Sequence, residues 1–315
     1  MTPEKARVGV LISGRGSNMT ALLYASRLDE TCPYEIVVVG SNDPDAAGLK
    51  LAAAEGVEVF AHSHKGMKRA EFDAIITREL EAAGVTHIAL AGYMRLLSPE
   101  FVAHWQGRCI NIHPSLLPKH KGLHTHEAVL AAGESETGCT IHVVTPELDD
   151  GPILGQARIA VLPGDTPETL ATRVQYAEHQ LYPRVLAQFV QAGRDPAVLE
   201  AQVREIALGL PEADEVVSHG MACFGIKKGK KFAYVSRNHH HDGRTALLVK
   251  VSGPDEQAAL IDNEPERYFR PAYFGDGWVG IRLDLGDNDW AHLAGWLQRS
   301  WRAIAPAKLA IMLDF

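Results

Sequence analysis

Three short segments of this chain hold the side chains that could do chemistry. The first, Ser13-Gly14-Arg15-Gly16-Ser17-Asn18, follows an apolar run and opens a helical pattern. Glycines there let backbone N–H groups come close to an anion, and a helix N-terminus adds partial positive charge, so a phosphate is the natural guest. A dinucleotide fingerprint would need a third glycine three residues after Gly16, where Met19 stands, and the Lys-Ser/Thr pair of a triphosphate loop does not follow. The turn suits one phosphate monoester, with plain chain reversal as the competing reading.

The second segment, Cys109-Ile110-Asn111-Ile112-His113-Pro114-Ser115-Leu116-Leu117-Pro118, ends an apolar strand pattern with two polar side chains. Residues i and i+2 of a strand point to one side, so Asn111 and His113 would project together at the carboxyl end of a sheet, where open parallel sheets bind ligands. Pro114 and Pro118 stiffen the exit. The bland alternative is a strand end whose Asn and His satisfy backbone groups. In the third segment a strand pattern, Gly138 to Thr145, leads into Pro146-Glu147-Leu148-Asp149-Asp150-Gly151-Pro152, which offers Asp149 on a turn stiffened by Gly151 and Pro152. An amide, an imidazole and a carboxylate are what acyl transfer to an amine requires: donors for a developing oxyanion and a group to take the proton off the attacking nitrogen. The sequence has no G-x-S-x-G turn and no cysteine beside this histidine in a recognisable pattern. Direct transfer is therefore expected rather than a covalent acyl-enzyme.

The elements that must position these groups are legible in outline. Val8 to Ile12, Glu35 to Val39, Val57 to Phe60, His87 to Ala91 and Cys109 to Ile112 each suit a strand buried on both faces. Between them Asn18 to Leu28, Ala46 to Ala54 and Arg69 to Ala83 carry apolar residues at helical spacing, which implies right-handed βαβ units on a mostly parallel, Rossmann-like α/β sheet. A long helical stretch, Thr169 to Ala192, is followed by Asp195 and Pro196 and by a helix expected to open at Val198. We place a domain boundary there, with domains 1–195 and 196–315. The second part reads as a smaller α+β domain: Cys223 to Ile226 and Lys231 to Ser236 around Lys227-Lys228-Gly229-Lys230, then Ala246 to Val251, Trp278 to Leu283, and a helix from Asp289 to Ala303.

Composition sets the class. The chain has 315 residues, 46% hydrophobic and 22% charged, and no apolar run near the ~20 residues of a membrane helix. Val8 to Ile12 is shorter than the ~7–15 residues of a secretory signal core, so a cytoplasmic protein is expected. Cys32, Cys109, Cys139 and Cys223, with no C-x-x-C pair, read as reduced and mostly buried thiols. The net charge of −8 divides into −6 for the first part and −2 for residues 196–315, so nucleic acid is not expected as a partner. His239-His240-His241 reads as a polar turn, and the tryptophans of the second part read as core. His120, His124, His126 and His142 crowd the motif region, but none has the spacing of a zinc cluster; they are expected to be structural or supporting, with no metal.

Taken in order, Gly-Arg-Gly-Ser-Asn, then Ala91-Gly92-Tyr93-Met94-Arg95-Leu96-Leu97-Ser98-Pro99, Asn111 to Pro118 with Gly122-Leu123-His124-Thr125-His126, and Leu148 to Pro152 resemble the phosphoribosylglycinamide formyltransferase family over roughly residues 7–193. The resemblance implies transfer of a formyl group from 10-formyltetrahydrofolate to the amine of glycinamide ribonucleotide in purine synthesis, without a metal. It implies that Asn111 and His113 bond the oxyanion while Asp149 holds His113 and passes the amine proton on through a water. It further implies that Gly16, Ser17 and Asn18 hold the substrate phosphate with help from Arg69, that Gln175 and Glu178 hold the glycinamide end, and that Met94, Arg95 and Leu97 form the folate pocket. The partners are then small molecules, without a membrane, and a homodimer is compatible.

The chain departs from the family pattern in three ways. Lys119-His120-Lys121 replaces an aromatic residue and a proline. Asp150 replaces a glycine, and its charge is expected to raise the proton affinity beside Asp149. The chain also continues beyond Gln191. Its second part, through Leu210-Pro211-Glu212, Val217-Ser218-His219-Gly220, Phe224, Lys231-Phe232-Ala233, Tyr268-Phe269, Gly277-Trp278-Val279 and Ser300 to Pro306, resembles the MmcQ/YjbR family, an α+β fold. An interaction or stabilising module is the expectation there, ahead of a second catalytic site. Two alternatives stand beside the transferase: a formylase of another amine or a hydrolase of the formyl donor, the latter without need of the phosphate turn, and a binding protein that keeps only the fold.

Overall fold

The computed structural model describes residues 5–310 apart from 228, 239–241 and 287. The chain divides into two compact units, Met1–Gln191 and Ala192–Phe315. The His239-His240-His241 turn and Lys228 of the lysine turn lie outside the described residues.

In the first unit the elements run β1 (Ala6–Ile12), α1 (Ser17–Leu28), β2 (Tyr34–Ser41), α2 (Ala47–Ala54), β3 (Glu58–Ala61), α3 (Arg69–Ala82), β4 (His87–Leu90), α4 (Pro99–His104), β5 (Cys109–His113), α5 (Thr125–Ala131), β6 (Glu136–Val143), β7 (Ile153–Ala160) and α6 (Pro167–Ala192). The sheet order is β3-β2-β1-β4-β5-β6-β7. β1 to β5 are parallel, while β6 and β7 are antiparallel additions. This is a mostly parallel α/β sheet, as its alternating sequence pattern requires. Helices cover both faces. Met19 and Leu22 of α1, Ala52 of α2 and Val174, Tyr182 and Leu186 of α6 pack on one side; Phe72, Ile76 and Leu80 of α3 with Phe101 and Trp105 pack on the other. Burial on both faces is why β1 reads as an unbroken apolar run. β3 departs from the expectation: as an edge strand it leaves Glu58 and Val59 exposed. α6 begins at Pro167 rather than Thr169, because proline is tolerated in a helix's first turn. β7 and the short α4 and α5 have too little periodicity to be read from sequence.

The second unit comprises α7 (Pro196–Leu208), β8 (Ala213–Ser218), β9 (Met221–Ile226), β10 (Lys231–Arg237), β11 (Thr245–Lys250), α8 (Pro254–Asn263), β12 (Tyr268–Phe269), β13 (Trp278–Arg282), α9 (Trp290–Arg302) and α10 (Ala307–Ala310). Its antiparallel sheet runs β12-β13-β11-β10-β9-β8. Asp195 caps α7 by accepting from Ala197 and Val198 N–H at 2.7 and 3.3 Å, and Pro196 occupies the first turn. That cap opens the helix two residues before Val198. On α9, Leu293, Trp296, Leu297, Ser300 and Trp301 recur at helical spacing and are buried with Phe224, Phe232, Leu247 and Ile281. All four cysteines are free and buried. Among the described residues, no helix is long and apolar enough to cross a membrane.

Leu297 is fully buried in this core. Leu297→Ala is expected to destabilise the second unit by about 2–5 kcal/mol. Thermal unfolding is the measurement, and an unchanged midpoint would contradict the packing.

Candidate active site

The site begins at the carboxyl end of β5. Asn111 and His113 lie on one face of the strand, and antiparallel β6 sets His142 opposite Asn111 and Thr140 opposite His113. Thr140 then shapes the exit loop: its hydroxyl donates to Ser115 O at 2.7 Å and accepts the Leu117 N–H at 3.1 Å. Ser115 Oγ donates to Lys119 O at 2.7 Å and so turns the chain back across the strand end. The Leu117–Pro118 bond is cis, and His120 lies at φ 53. The returning backbone reaches the predicted groups. The His120 carbonyl meets His113 Nε2 at 2.9 Å, and the Gly122 N–H donates to Asp149 Oδ2 at 2.9 Å.

Asp149 itself sits at φ 50, on a loop that doubles back along β6. A Cβ at Gly151 would lie 1.8 Å from the Val143 carbonyl oxygen, so only glycine lets the loop lie that close. The Asp149 carboxylate ends between two imidazoles: Oδ2 is 3.4 Å from His113 Nδ1 and Oδ1 is 3.6 Å from His142 Nε2. His142 Nε2 is also 3.3 Å from Asn111 Nδ2, while its Nδ1 faces the Val143 carbonyl at 3.0 Å. His113, His142 and Asp149 are 5%, 3% and 9% exposed, so these contacts are shielded from water. The result is one chain of contacts, Asn111–His142–Asp149–His113. Both ring nitrogens of His113 face oxygen atoms, Nδ1 the Asp149 carboxylate and Nε2 the His120 carbonyl.

Burial acts to raise the Asp149 carboxyl, but the hydrogen bond with His142, the Gly122 N–H and the nearby His113 outweigh it and hold the group below the ordinary carboxylate range. This corrects the expectation drawn from Asp150. That second carboxylate is exposed and engaged by Lys121, so it does not push the proton affinity of Asp149 up. The two departures from the family pattern, Lys121 and Asp150, satisfy each other. His142 is the residue that sequence reasoning undervalued as merely supporting. The signal available was its place on the strand after Gly138, in reach of a neighbour ending in Asn-Ile-His.

At the Ser13–Asn18 turn, Gly16 adopts φ 73 at the mouth of α1, and the helix has no side-chain cap there. A Cβ on Gly16 would come within 3.1 Å of Gly48 Cα, whose residue's N–H donates to the Gly14 carbonyl at 3.0 Å. α6 closes over the turn: Gln175 Nε2 donates to Ser17 Oγ at 2.9 Å, and Asn18 Nδ2 donates to Glu178 Oε2 at 2.8 Å. Burial raises the Glu178 carboxyl against the opposing bond from Asn18. Gly16, Ser17, Asn18, Gln175 and Glu178 thus form one cluster. Arg69 does not join it. It is exposed at the start of α3, and among the described residues no hydrogen bond or ion pair ties it to the turn.

The Met94–Leu97 loop leaves β4, next to β1 in the sheet. Met94 is exposed, and its N–H donates to Ser13 Oγ at 2.8 Å. The Arg95 side chain turns inward, its guanidinium 4.5 Å above the Phe72 ring and Nε 3.8 Å from Asp73 Oδ1, so it anchors the loop. Leu97 is half-buried against the same aromatic core. Behind the Pro114–Gly122 loop lies a cavity of about 180 Å³, bounded by Leu116, His120, Val129, Glu134, Thr137 and Arg158 and holding none of the catalytic candidates. Among the described residues, no group of three or more His, Cys, Asp or Glu side chains is arranged to hold a metal ion.

Residues 6–186 match the family described as formyl transferase, and residues 208–303 match YjbR. Phosphoribosylglycinamide formyltransferase of Escherichia coli (strain K12) is 41% identical over 181 residues, covering 57% of this chain and 85% of that protein. The trifunctional purine biosynthetic protein adenosine-3 of Drosophila pseudoobscura pseudoobscura is 49% identical over 189 residues, 59% of this chain; the chain spans 14% of that relative's length. The phosphoribosylglycinamide formyltransferase structure from Brucella melitensis aligns with TM-score 0.57 at 48% identity, covering 59% of this chain and 96% of that one. The enzyme of the same name from Coxiella burnetii, solved with CHES, aligns with TM-score 0.57 at 46% identity, covering 61% and 89%.

A depressed carboxyl stabilises the fold above the ordinary aspartate value of about 3.9, and that contribution disappears as pH falls through the lowered value. Denaturant unfolding compared at about pH 6 and about pH 3 should therefore show the native protein losing more stability than Asp149→Asn. Equal losses would refute the electrostatic account of Asp149.

Proposed function

Because this chain belongs to the formyl transferase family through residues 6–186, we propose that it transfers the formyl group of 10-formyltetrahydrofolate to the amine of glycinamide ribonucleotide, a step of purine synthesis, with the cytoplasm as its setting. The observation that carries this reading is the convergence of Asn111, His113 and Asp149, whose outermost members lie 38 residues apart in the chain, into one shielded contact chain beyond the carboxyl end of β5. A hydrolase of the formyl donor would share that chain but has no use for the Gly16 turn closed by Gln175 and Glu178.

The formyl donor supplies an acyl carbon on a nitrogen leaving group; this chain supplies orientation and charge. The substrate amine attacks the formyl carbon, its new C–N bond replaces the bond to the donor nitrogen, and negative charge collects on the formyl oxygen between. Asn111 Nδ2 can donate to that oxygen, since its contact with His142 at 3.3 Å is a long one. His113, held in place by Asp149, donates to that oxygen once its Nε2–H leaves the His120 carbonyl. Asp149, kept as carboxylate, is the group that takes the amine proton through a water and returns it to the leaving nitrogen. Gly16, Ser17 and Asn18 hold the phosphate at the α1 N-terminus, the exposed Arg69 of α3 having to swing toward the turn to assist, Gln175 and Glu178 face the glycinamide end, and the Met94–Leu97 backbone receives the folate ring. The YjbR-like unit takes the role of an interaction or stabilising module.

Purified protein should convert 10-formyltetrahydrofolate to tetrahydrofolate only when glycinamide ribonucleotide is present, and His113→Ala and Asp149→Asn should each cut kcat by roughly a hundredfold or more with small changes in KM. Turnover without the amine would favour the hydrolase. A chain ending at Asp195 should keep most of the formyl transfer; a folded but inactive truncation would show that the second unit serves the first.

A further inference from the structure

Ser13 is the first residue of the Ser13–Asn18 turn, yet its bonds point away from it. Its N–H donates to the Gly92 carbonyl at 3.1 Å, and its hydroxyl oxygen accepts the Met94 N–H at 2.8 Å. The hydroxyl proton goes to Asn42 Oδ1 at 2.5 Å. Asn42 is buried after β2, and its Nδ2 lies 3.3 Å from His64 Nδ1. His64 packs edge-on against Phe72, with ring centroids 6.0 Å apart, and Phe72 carries the Arg95 guanidinium. The circuit therefore closes: the loop of Met94 and Arg95 is fastened to β1 by Ser13 and to α3 by Phe72, and Asn42 and His64 join the two fastenings.

A hydroxyl has one proton and two lone pairs. Asn42 takes the proton, which turns the lone pairs toward Met94. The Gly14–Asn18 backbone that faces an anion follows Ser13 directly, and any shift of the Met94 N–H strains its bond to that same residue. We propose that Ser13 is a positioning residue that couples the two substrate sites, so that phosphate-end binding of the nucleotide tightens the folate loop and the reverse. This rests on the formyl transfer reading above. Substrate contacts are assigned to the neighbouring residues, and Ser13 acts through Met94.

The test uses tetrahydrofolate, which has no formyl group to transfer, titrated calorimetrically into the full chain with and without saturating glycinamide ribonucleotide. For the unaltered protein the nucleotide should tighten tetrahydrofolate about three- to tenfold, the range one shared hydrogen bond supplies, and tetrahydrofolate should tighten the nucleotide by the same factor. Ser13→Ala should bring the ratio close to one while each ligand alone binds within about threefold of its original affinity. A merely structural serine would weaken both ligands and leave the ratio intact, which would overturn the proposal, as would a ratio of one in the unaltered protein. If Ser13→Ala compromises folding, Ser13→Thr keeps the hydroxyl and must preserve the coupling; a folded threonine variant without it also overturns the assignment. Binding of both ligands without coupling removes only this inference, whereas no tetrahydrofolate binding to the unaltered protein removes the formyl transfer reading with it.

Discussion

A carboxylate buried between two imidazoles is the interaction on which the rest of the first unit depends. Water stabilises an ionised Asp149 well; the interior must replace that stabilisation with specific donors, and it does so with His113, His142 and the Gly122 N–H. Removing one partner of such a buried set typically costs about 3–5 kcal/mol, so the loops that supply the donors are under strong constraint. The Pro114–Gly122 loop must return to the strand end, and the Asp149 loop must lie flush on β6, which fixes Gly151.

The scaffold meets these demands by changing strand direction. Five parallel strands gather their carboxyl ends on one edge, where the Gly16 turn and the Met94 loop emerge from neighbours β1 and β4. Antiparallel β6 then runs back along β5. Its residues therefore face those of β5 in direct pairs, which is how His142 comes opposite Asn111 and Thr140 comes to hold the exit loop. A sixth parallel strand would have needed a crossover helix and would have carried its polar residues to its own end instead.

The departures from the family pattern show the same logic of mutual satisfaction. Lys121 and Asp150 are far apart in sequence but meet across the mouth of the Asp149 loop, and Lys119 likewise engages Glu134. Each introduced charge faces an opposite one, so neither reaches Asp149 as an uncompensated field. The second unit is self-sufficient in packing: a cap at Asp195 opens it, and the apolar stripe of α9 covers its own antiparallel sheet.

The sequence alone determined the alternation of strand and helix, the glycine turn before α1 and the identity of the Asn, His and Asp side chains, because burial period and glycine geometry are local properties. It also placed Asn111 and His113 on one side of a strand, since the period of two needs no partner. It did not reveal the short α4 and α5, the edge exposure of β3, or the inward turn of Arg95 onto Phe72. Nor did it assign His142 its contacts, or show that Lys121 would quiet Asp150. Those outcomes belong to the tertiary structure alone, because which groups surround a charge depends on pairing between segments distant in the chain, and no spacing along one segment encodes it.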